Sequence, residues 1–278
     1  MHDSEVIFPA GNITGLAAQD SCARGVLMPD KMPMSVAIII PARMASTRLP
    51  GKPLAEIAGL PMIVHVMRRA EESGLGQVIV ACDGEEIAAA VRRHGGNAIV
   101  TAPDLPSGSD RIWAALSADD RIIRLSDDSV IINLQGDLPT FDSALLPPLV
   151  EALRTSGADI ATLITPIVSA DEHENPSVVK AVAALDDTGK TGRALYFTRA
   201  TAPYGEGVRY HHIGVYAYRY GALKRFVALP PSALEIREKL EQLRALEAGM
   251  QIAVLVANTV PLGVDTPEDL ARARDLLS

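Results

Sequence analysis

Short apolar runs and longer amphipathic segments alternate along the chain from residue 36 onward. Buried strands are predicted where the runs are almost continuously apolar, at 36–40, 78–81, 98–100 and 130–134. Helices are predicted where apolar residues recur every three or four positions, at 61–72, 85–94, 109–116 and 143–155. This alternation predicts an α/β fold with a doubly wound, mainly parallel sheet and helices on both of its faces.

The pattern changes after a further apolar run at 159–164. Longer strands are predicted at 178–185, 194–198 and 210–219, with a turn at 186–190 between the first two. We therefore expect a mixed or antiparallel insertion over about 165–230. A strand at 252–256 and a helix at 267–277 follow, and Pro267 occupies the first turn of that helix, where proline is favoured.

Another helix is predicted to begin after Ser232. Ser232 as N-cap and Glu235 three residues later have the spacing of a capping box. The apolar stripe of this helix would consist of Ile236, Leu240, Leu243 and Leu246. Helical spacing would also align Glu235 and Glu238 with Gln242, beside Glu241, on a face that we expect to meet solvent.

The composition fits a core of aliphatic side chains. Of the 278 residues, 48% are hydrophobic but only 4% are aromatic, which suits a parallel sheet buried on both faces. The formal charge of −8 at pH 7 argues against a nucleic-acid partner and against stable membrane association, because both need a basic surface. A small anionic substrate stays compatible with this charge, since it meets only the residues around it.

Residues 1–34 show no clear periodicity and lack the basic start and apolar stretch of a signal peptide. We expect a flexible N-terminal leader there and a single domain over 35–278. The apolar runs are shorter than the about 18 residues that a transmembrane helix needs. The two cysteines, Cys22 and Cys82, form neither a disulfide framework nor a CxxC metal motif. The sequence therefore predicts a cytoplasmic protein.

The strongest candidate for chemistry is the loop at 41–53, directly after the first predicted strand. It carries three cations, Arg43, Arg48 and Lys52, and three prolines that stiffen its backbone. In open α/β sheets, ligands bind beyond the carboxyl ends of the strands. Stiffly held guanidinium and ammonium groups at that place suit a polyphosphate. The loop has neither the Walker A nor the GxGxxG spacing.

Two aspartates each follow an apolar segment. Asp137 comes after Gly136 at the end of a predicted strand, and Asp265 precedes Thr266 and Pro267 at the start of the closing helix. Together they could hold Mg²⁺, which prefers oxygen ligands. Asp265 could equally serve only the start of that helix.

Two other segments have both a functional and a purely structural interpretation. The turn at 106–111 opens a helix, and its hydroxyl and N–H groups could meet a base or phosphate or could only cap the helix. Period-two alternation in 210–219 places His212 and Tyr216 on a polar, aromatic face. That face could line a pocket or could be a half-exposed side of the sheet.

Seven segments, taken in order, closely resemble the signature of the 3-deoxy-D-manno-octulosonate cytidylyltransferases, also called CMP-Kdo synthetases. The seven segments are 41–54, 106–111, 135–137, 194–200, 212–216, 240–244 and 263–270. The resemblance spans residues 36–277 and leaves the first 34 residues outside.

The resemblance implies a Rossmann-like nucleotidyltransferase fold and a homodimer, with strands of the insertion at the dimer contact and the sugar site. It implies transfer of CMP from CTP to the anomeric hydroxyl of Kdo, with release of pyrophosphate, for lipopolysaccharide synthesis. Arg43 and Lys52 would bind the CTP phosphates, and Asp137 and Asp265 would hold Mg²⁺; these four would be catalytic. The remaining substrate contacts would be Ala42, Ser46, Ser107, Gln135, Arg199, His212, Tyr216, Glu241 and Gln242. Of these, Arg199 is the candidate partner of the sugar carboxylate.

The chain departs from the family pattern at two positions. Leu138 stands where the family usually has Glu after the Gly-Asp pair, and Leu105 stands where it often has His. These changes leave two alternatives open: a cytidylyltransferase for a related acid such as 8-amino-Kdo or a neuraminate-like acid, and a weakly active nucleotide-sugar-binding module. The run at 47–53 favours the Kdo type, and Lys52, Asp137 and Asp265 argue against the binding module.

Overall fold

The computed structural model describes residues 35–45, 48–118 and 125–278. The leader predicted at 1–34 and the predicted substrate residue Ser46 lie outside the described residues. Within these ranges, none of the helices combines the length and the apolar character that a membrane crossing requires.

Strands and helices alternate through the first half of the chain, as the pattern predicts. The strands are β1 (Val36–Ala42), β2 (Glu56–Ile57), β3 (Leu60–Pro61), β4 (Gln77–Cys82), β5 (Asn97–Val100), β6 (Val130–Asn133), β7 (Ile160–Pro166), β8 (Lys180–Leu185), β9 (Thr191–Thr198), β10 (Tyr210–Arg219) and β11 (Ile252–Val256). The α-helices are α1 (Met62–Glu72), α2 (Glu85–Arg93), α3 (Gly108–Ala118), α4 (Leu146–Ser156), α5 (Ala170–Glu174), α6 (Tyr220–Val227), α7 (Ala233–Glu238), α8 (Leu243–Glu247) and α9 (Pro267–Leu277).

Nine of the strands form one mixed sheet in the order β5-β4-β1-β6-β10-β7-β11-β9-β8. The pairs β5–β4, β4–β1, β1–β6 and β7–β11 are parallel. Every antiparallel pair of this sheet involves β8, β9 or β10, and β10 runs between β6 and β7. The structure confirms the predicted α/β fold with a mixed sheet.

The sheet has one hydrophobic core on each face, as a doubly wound fold requires. Successive residues of β1 alternate between the cores: Ile38 and Ile40 pack with α1, α2 and α4, whereas Ala37 and Ile39 pack with α3, α6 and α8. All four of these side chains are fully buried. Because both faces are covered, β1 is a continuous apolar run rather than an alternating one, and its carboxyl end emerges from a rigid centre.

The helix predicted after Ser232 is wrong in its extent. The capping box of Ser232 and Glu235 is present, but α7 ends at Glu238, before Lys239 with its left-handed φ of 56°, and α8 begins only at Leu243. The predicted apolar stripe is broken as a result, since the Ile236 side chain is 66% exposed. A positive φ at a lysine is set by tertiary contacts, which the helical period cannot report.

The predicted solvent face of that helix is also wrong. Glu235 forms an ion pair with Arg244 at 2.6 Å, and Glu238 accepts a hydrogen bond from the Thr198 hydroxyl at 2.8 Å. Glu241 accepts from Ser109 at 2.9 Å, and Gln242 is buried. All four residues therefore contact other parts of the protein. The break at Lys239 accounts for Glu241 and Gln242, which follow it and turn inward.

Candidate functional site

A cavity of about 470 Å³ lies beyond the carboxyl ends of β1 and β6. Its walls come from the loop after β1, the turn before α3, the segment after β6 and the residue before α9. Two carboxylates line it, those of Asp137 and Asp265, against four cations: Arg43, Arg48, Lys52 and Arg111. The volume is that of a small-molecule site, about 300–1,000 Å³, and the excess of positive charge favours an anionic ligand. We call this region the cation-rich cavity.

The loop after β1 turns back on itself to bring Lys52 into the cavity. Gly51 adopts a left-handed φ of 69°, and its N–H donates to the Met44 carbonyl at 3.4 Å. The 3₁₀ helix Lys52–Leu54 begins at the next residue, with Pro53 in its first turn. Glycine suits this reversal because it has no Cβ to strain, and the stiff turn fixes the direction of the Lys52 side chain.

A backbone hydrogen bond holds the two aspartate-bearing segments together. The Val264 N–H donates to the Asp137 carbonyl at 3.0 Å. Next to it, Thr266 and Asp269 form a capping box at the start of α9, and the Asp265 N–H also donates to the Asp269 carboxylate at 3.1 Å. These bonds bring Asp137 and Asp265 side by side although they are far apart in the sequence.

Lys52 lies between the two aspartates. Its Nζ donates to Asp137 Oδ2 at 2.8 Å and to Asp265 Oδ1 at 3.0 Å. Arg48 contacts the other oxygen of Asp265 at 3.0 Å. Burial opposes the charge on Lys52, but the two carboxylates raise its pKa above the usual value. Lys52 is therefore a permanent cation at the centre of the cavity.

The same two carboxylates fit a divalent cation. Both reach a single cationic atom, Lys52 Nζ, so one positive charge can face both. Mg²⁺ in nucleotide sites takes one or two carboxylates and completes its shell with water and substrate phosphates. In the part of the chain that the structure describes, no group of three or more His, Cys, Asp or Glu side chains is placed to hold a metal ion. The described chain thus offers two carboxylates, and phosphates would have to supply further ligands.

Two glycines let the cavity walls approach β1 closely. A Cβ on Gly136 would lie 2.7 Å from the Pro41 carbonyl oxygen and 3.3 Å from Ile63 Cδ1. A Cβ on Gly108 would lie 3.3 Å from Pro41 Cγ. Because the Pro41 backbone is held in the sheet and cannot give way, the turn that carries Asp137 requires glycine at its approach to β1.

Asp83 is a site-supporting residue that sequence reasoning missed. It follows β4, and both of its carboxylate oxygens accept from the Met44 N–H, at 3.1 and 3.0 Å. The bond anchors the loop beside Arg43. The signal that could have identified it is its place directly after a buried strand, next to the strand that precedes the loop.

Three of the predicted residues, His212, Tyr216 and Gln242, lie together with Thr162 and Phe197 in a largely buried group that we call the histidine cluster. The Thr162 hydroxyl donates to the Val215 carbonyl at 2.8 Å, so the His212 Nε2, 3.1 Å from the same hydroxyl oxygen, must carry hydrogen. The His212 Nδ1 is then an acceptor and lies 3.5 Å from the Gln242 amide nitrogen. Burial lowers the pKa of His212 to about 3, so the ring is neutral.

Aromatic rings pack around this neutral imidazole. The Phe197 ring meets His212 edge-on with centroids 4.8 Å apart, and the Tyr216 ring lies 5.5 Å away. Burial also raises the pKa of Tyr216, which keeps its hydroxyl a hydrogen-bond donor. The histidine cluster offers neutral donors and acceptors rather than charge.

The Arg199 guanidinium forms hydrogen bonds with backbone carbonyl groups. Its guanidinium donates to the carbonyls of Glu238 at 2.8 Å, Pro176 at 2.9 Å and Lys239 at 3.4 Å. Its own N–H donates to the Glu238 carboxylate at 3.0 Å. These bonds tie the end of β9 to the break between α7 and α8.

Apart from Arg199, the described residues among those predicted for the site thus fall into two neighbourhoods. The cation-rich cavity is lined by Ala42, Arg43, Lys52, Ser107, Gln135, Asp137 and Asp265. His212, Tyr216 and Gln242 belong to the histidine cluster, and Glu241 adjoins it in sequence. Leu138 is buried in the core, so its side chain is absent from the cavity wall.

Comparisons with known proteins agree on one family. The cytidylyltransferase family model matches residues 37–252. The 3-deoxy-manno-octulosonate cytidylyltransferase of Parvibaculum lavamentivorans is 62% identical over 87% of this chain and 92% of its own length. The protein of the same name from Paramagnetospirillum magneticum is 56% identical over 86% of this chain and 96% of its own.

A solved structure supports the same assignment. The structure of CMP:2-keto-3-deoxy-manno-octonic acid synthetase complexed with CTP is 38% identical and superposes with a TM-score of 0.79, covering 87% of this chain and 98% of that one. The fold, the cavity at the strand ends and these relatives all agree. The chain belongs to the cytidylyltransferase family and, within it, to the 3-deoxy-manno-octulosonate cytidylyltransferases.

Proposed function

We propose that the protein transfers CMP from CTP to the anomeric hydroxyl of Kdo and releases pyrophosphate. The observation that carries this proposal is the convergence of Lys52 on Asp137 and Asp265 at the carboxyl edge of the sheet, in a cavity with an excess of cations. The related structure named above holds CTP, and the relatives carry the name of the Kdo reaction, which favours Kdo over a neuraminate-like acid.

In this reaction the sugar hydroxyl forms a bond to the α-phosphorus of CTP, and the bond to the leaving pyrophosphate breaks. Phosphoryl-type transfer depends on positioning and on neutralising charge, so no covalent nucleophile of the enzyme is required. We assign Arg43 and Lys52 to the phosphates, where they would offset the charge that grows on pyrophosphate. Ala42 and Ser107 line the same cavity and would contact the nucleotide, together with Ser46 of the same loop.

We assign Asp137 and Asp265 to Mg²⁺. When bound, Mg²⁺ would supply charge neutralisation at the phosphates and lower the pKa of the attacking hydroxyl. The two carboxylates already face one cation, Lys52 Nζ, and oxygen ligands are what Mg²⁺ prefers. Lys52 therefore has two partners in this structure, Asp137 and Asp265. The phosphates of a bound nucleotide would be its third.

We place the sugar acid between the cation-rich cavity and the histidine cluster. Gln135 lines the cavity and donates to Asn133 at 2.9 Å, which fixes its amide. His212, Tyr216, Glu241 and Gln242 would then supply neutral and acidic hydrogen-bond partners for sugar hydroxyls. Arg199 stays the proposed partner of the carboxylate, with guanidinium hydrogens beyond those given to backbone carbonyls.

We further propose a place for this reaction in the cell and an oligomeric state for the protein. CMP-Kdo would supply Kdo for lipopolysaccharide synthesis in the cytoplasm, where Cys82 would stay a free thiol. We also propose a homodimer, for which the exposed side chains of Val168, Leu195, Tyr204 and Val208 in the 165–230 region offer apolar surface.

A pyrophosphate-release assay over a panel of nucleotides and acids tests the proposal. The panel pairs CTP, UTP and ATP with Kdo, 8-amino-Kdo and N-acetylneuraminate, each with and without Mg²⁺. We expect release with CTP, Kdo and Mg²⁺ to exceed every other combination by at least about tenfold, the effect of one lost hydrogen-bonded contact. Faster release with 8-amino-Kdo or neuraminate would reassign the sugar acid. No release with any acid, alongside CTP binding, would indicate a binding module.

A further inference from the structure

One hydrogen bond joins the wall of the cation-rich cavity to the sugar-side segment between α7 and α8. The Ser109 hydroxyl donates to Glu241 Oε2 at 2.9 Å. Ser109 lies in the first turn of α3, directly after Ser107 and Gly108, which line the cavity. Glu241 precedes Gln242 of the histidine cluster. The bond therefore connects the turn assigned to CTP with the residues assigned to the sugar acid.

The Ser109 hydroxyl is not needed to cap its helix. Ser107 does that work, because its Oγ accepts from the Asp110 N–H at 3.2 Å. Ser109 is 1% exposed, and besides Glu241 it is in hydrogen-bonding contact with the phenol of Tyr218. Since its single hydrogen goes to Glu241, its oxygen accepts from Tyr218. The Ser109 hydroxyl hydrogen is therefore directed at the Glu241 carboxylate.

The two carboxylate oxygens of Glu241 differ in their surroundings, and Oε2 is the one that accepts from Ser109. Glu241 Oε1 is buried and has no hydrogen-bond partner among the described residues. The Ser107 hydroxyl also lies near this carboxylate, but it donates its hydrogen to Asp110 at 2.8 Å. Arg244 comes only within 4.0 Å of that oxygen, because its guanidinium is committed to Glu235 at 2.8 and 2.6 Å. A buried acceptor without a donor is rare in folded proteins and points to a missing partner. A polyhydroxylated sugar acid is rich in the donors that this oxygen lacks.

We propose that Ser109 is a positioning residue for the sugar acid: it fixes the Glu241 carboxylate through Oε2 so that Oε1 accepts from a sugar hydroxyl. The inference rests on the proposed function, because it takes a sugar acid as the second substrate. Ser109 itself touches neither substrate. Ser109 directly follows the turn that lines the cavity, so it also links the two substrates. When CTP binds and fixes that turn, Ser109 holds the Glu241 carboxylate where it receives the sugar acid.

The test is steady-state kinetics of Ser109→Ala with CTP and Kdo varied separately. We expect the KM for Kdo to rise about tenfold, the effect of losing one hydrogen bond to a charged group, while the KM for CTP and kcat stay within about twofold. Ser109→Thr keeps the hydroxyl and should restore the KM. Ser117→Ala, which removes a hydroxyl of the same helix that donates to the Trp113 carbonyl at 2.8 Å, is the matched control.

A double-mutant cycle separates positioning from general damage to the fold. If Ser109 acts through Glu241, Ser109→Ala should change the KM for Kdo by less than about twofold in a Glu241→Ala background. An unchanged KM for Kdo in Ser109→Ala, equal rises for both substrates, or a full effect in the Glu241→Ala background would each overturn the inference.

Two results distinguish a failure of the proposed function from a failure of the role inferred for Ser109. A wild-type protein inactive with CTP and Kdo would overturn the proposed function and this inference with it, whereas an active wild type with an indifferent Ser109→Ala overturns the inference alone. If Ser109→Ala does not fold, Ser109→Cys has nearly the same shape and only a weak donor. The same rise in the KM for Kdo is expected of it, and an unchanged KM would contradict the role of Ser109.

Discussion

The cation-rich cavity and the histidine cluster offer opposite chemistry to the two substrates that we propose for them. The cavity places formal charges in partial contact with water, with Lys52 bridging Asp137 and Asp265. The cluster buries neutral groups, and its histidine is held uncharged at physiological pH. The phosphates of CTP carry most of the charge, whereas a sugar acid is distinguished by the placement of its hydroxyls.

This difference predicts how each region fails. Loss of a charge in the cavity should reduce the rate, because developing charge on the phosphates then lacks an opposite charge. Changes in the cluster should act on sugar affinity and on stability, because its groups are largely buried and are held by hydrogen bonds to one another and to the sheet backbone.

The largest effect is expected from Asp265→Asn. Turnover should fall about a thousandfold, on the scale of losing one charged group at a transition-state site, because the amide is a poor ligand for Mg²⁺. The fold should survive, since the Val264 N–H still reaches the Asp137 carbonyl. Asp275→Asn, an exposed change on the same closing helix, should retain full activity. Wild-type kinetics of Asp265→Asn at ordinary Mg²⁺ would remove Asp265 from the metal site.

Lys52→Ala should have the next largest effect. We expect kcat to fall about a hundredfold with a raised KM for CTP, because the two aspartates would lose their cation and the phosphates a partner. Lys190→Ala, a change in the exposed turn between β8 and β9, is the control. Initial rates over a CTP titration measure both constants. An unaltered CTP profile would show that Lys52 does not contact the phosphates.

The histidine cluster should make the protein sensitive to acid. The folded pKa of His212 is about 3 and the unfolded value is 6.5, so between these pH values only the unfolded chain binds the proton. The stabilising contribution is complete above pH 6.5 and decreases as the pH falls toward 3. At pH 5 the loss should be about 2 kcal/mol.

Urea unfolding at pH 7.5 and pH 5.0 measures this loss. His212→Asn, which keeps hydrogen-bonding groups but does not titrate, should lose about 2 kcal/mol less than the wild type over the same interval. The neighbouring His211, whose pKa is also lowered by burial, is present in both proteins and cancels. Equal losses in the two proteins would contradict a buried neutral His212.

The smallest effect on catalysis is expected from Leu138→Glu. The Leu138 side chain is 8% exposed and belongs to the core rather than the cavity wall. Restoring the glutamate usual in the family should leave kcat within about threefold, while burying a carboxylate in the core lowers the unfolding free energy by roughly 3 kcal/mol or more. Thermal unfolding by circular dichroism and initial rates measure both. A large gain in kcat would place residue 138 in the reaction.

The sequence predicted the cation-rich cavity far better than the histidine cluster. Parallel strands end at one edge of the sheet, so a loop after β1 and an aspartate after β6 had to lie close together once the strand–helix alternation was recognised. Arg43, Lys52 and Asp137 could therefore be placed from local pattern and topology alone. Asp265 needed the additional contact between Val264 and Asp137, which no periodicity reports.

The histidine cluster depends on tertiary contacts that local patterns do not contain. Strand alternation placed His212 and Tyr216 on one face, but not in a buried network with Thr162. Helical spacing placed Glu241 and Gln242 toward solvent, because it could not foresee the break at Lys239. Asp83 was missed for a related reason: its partner is a backbone N–H on another loop, and such bonds leave no side-chain pattern.

The central claim is that the cation-rich cavity joins CMP to the sugar acid, and ³¹P NMR of one reaction mixture tests it most directly. With equal amounts of CTP and Kdo and excess Mg²⁺, the wild type should convert CTP into one phosphodiester resonance of CMP-Kdo and an equal amount of pyrophosphate, while Asp265→Asn leaves CTP unchanged over the same time. Free CMP in place of the phosphodiester, or equal conversion by the Asp265→Asn variant, would contradict the account.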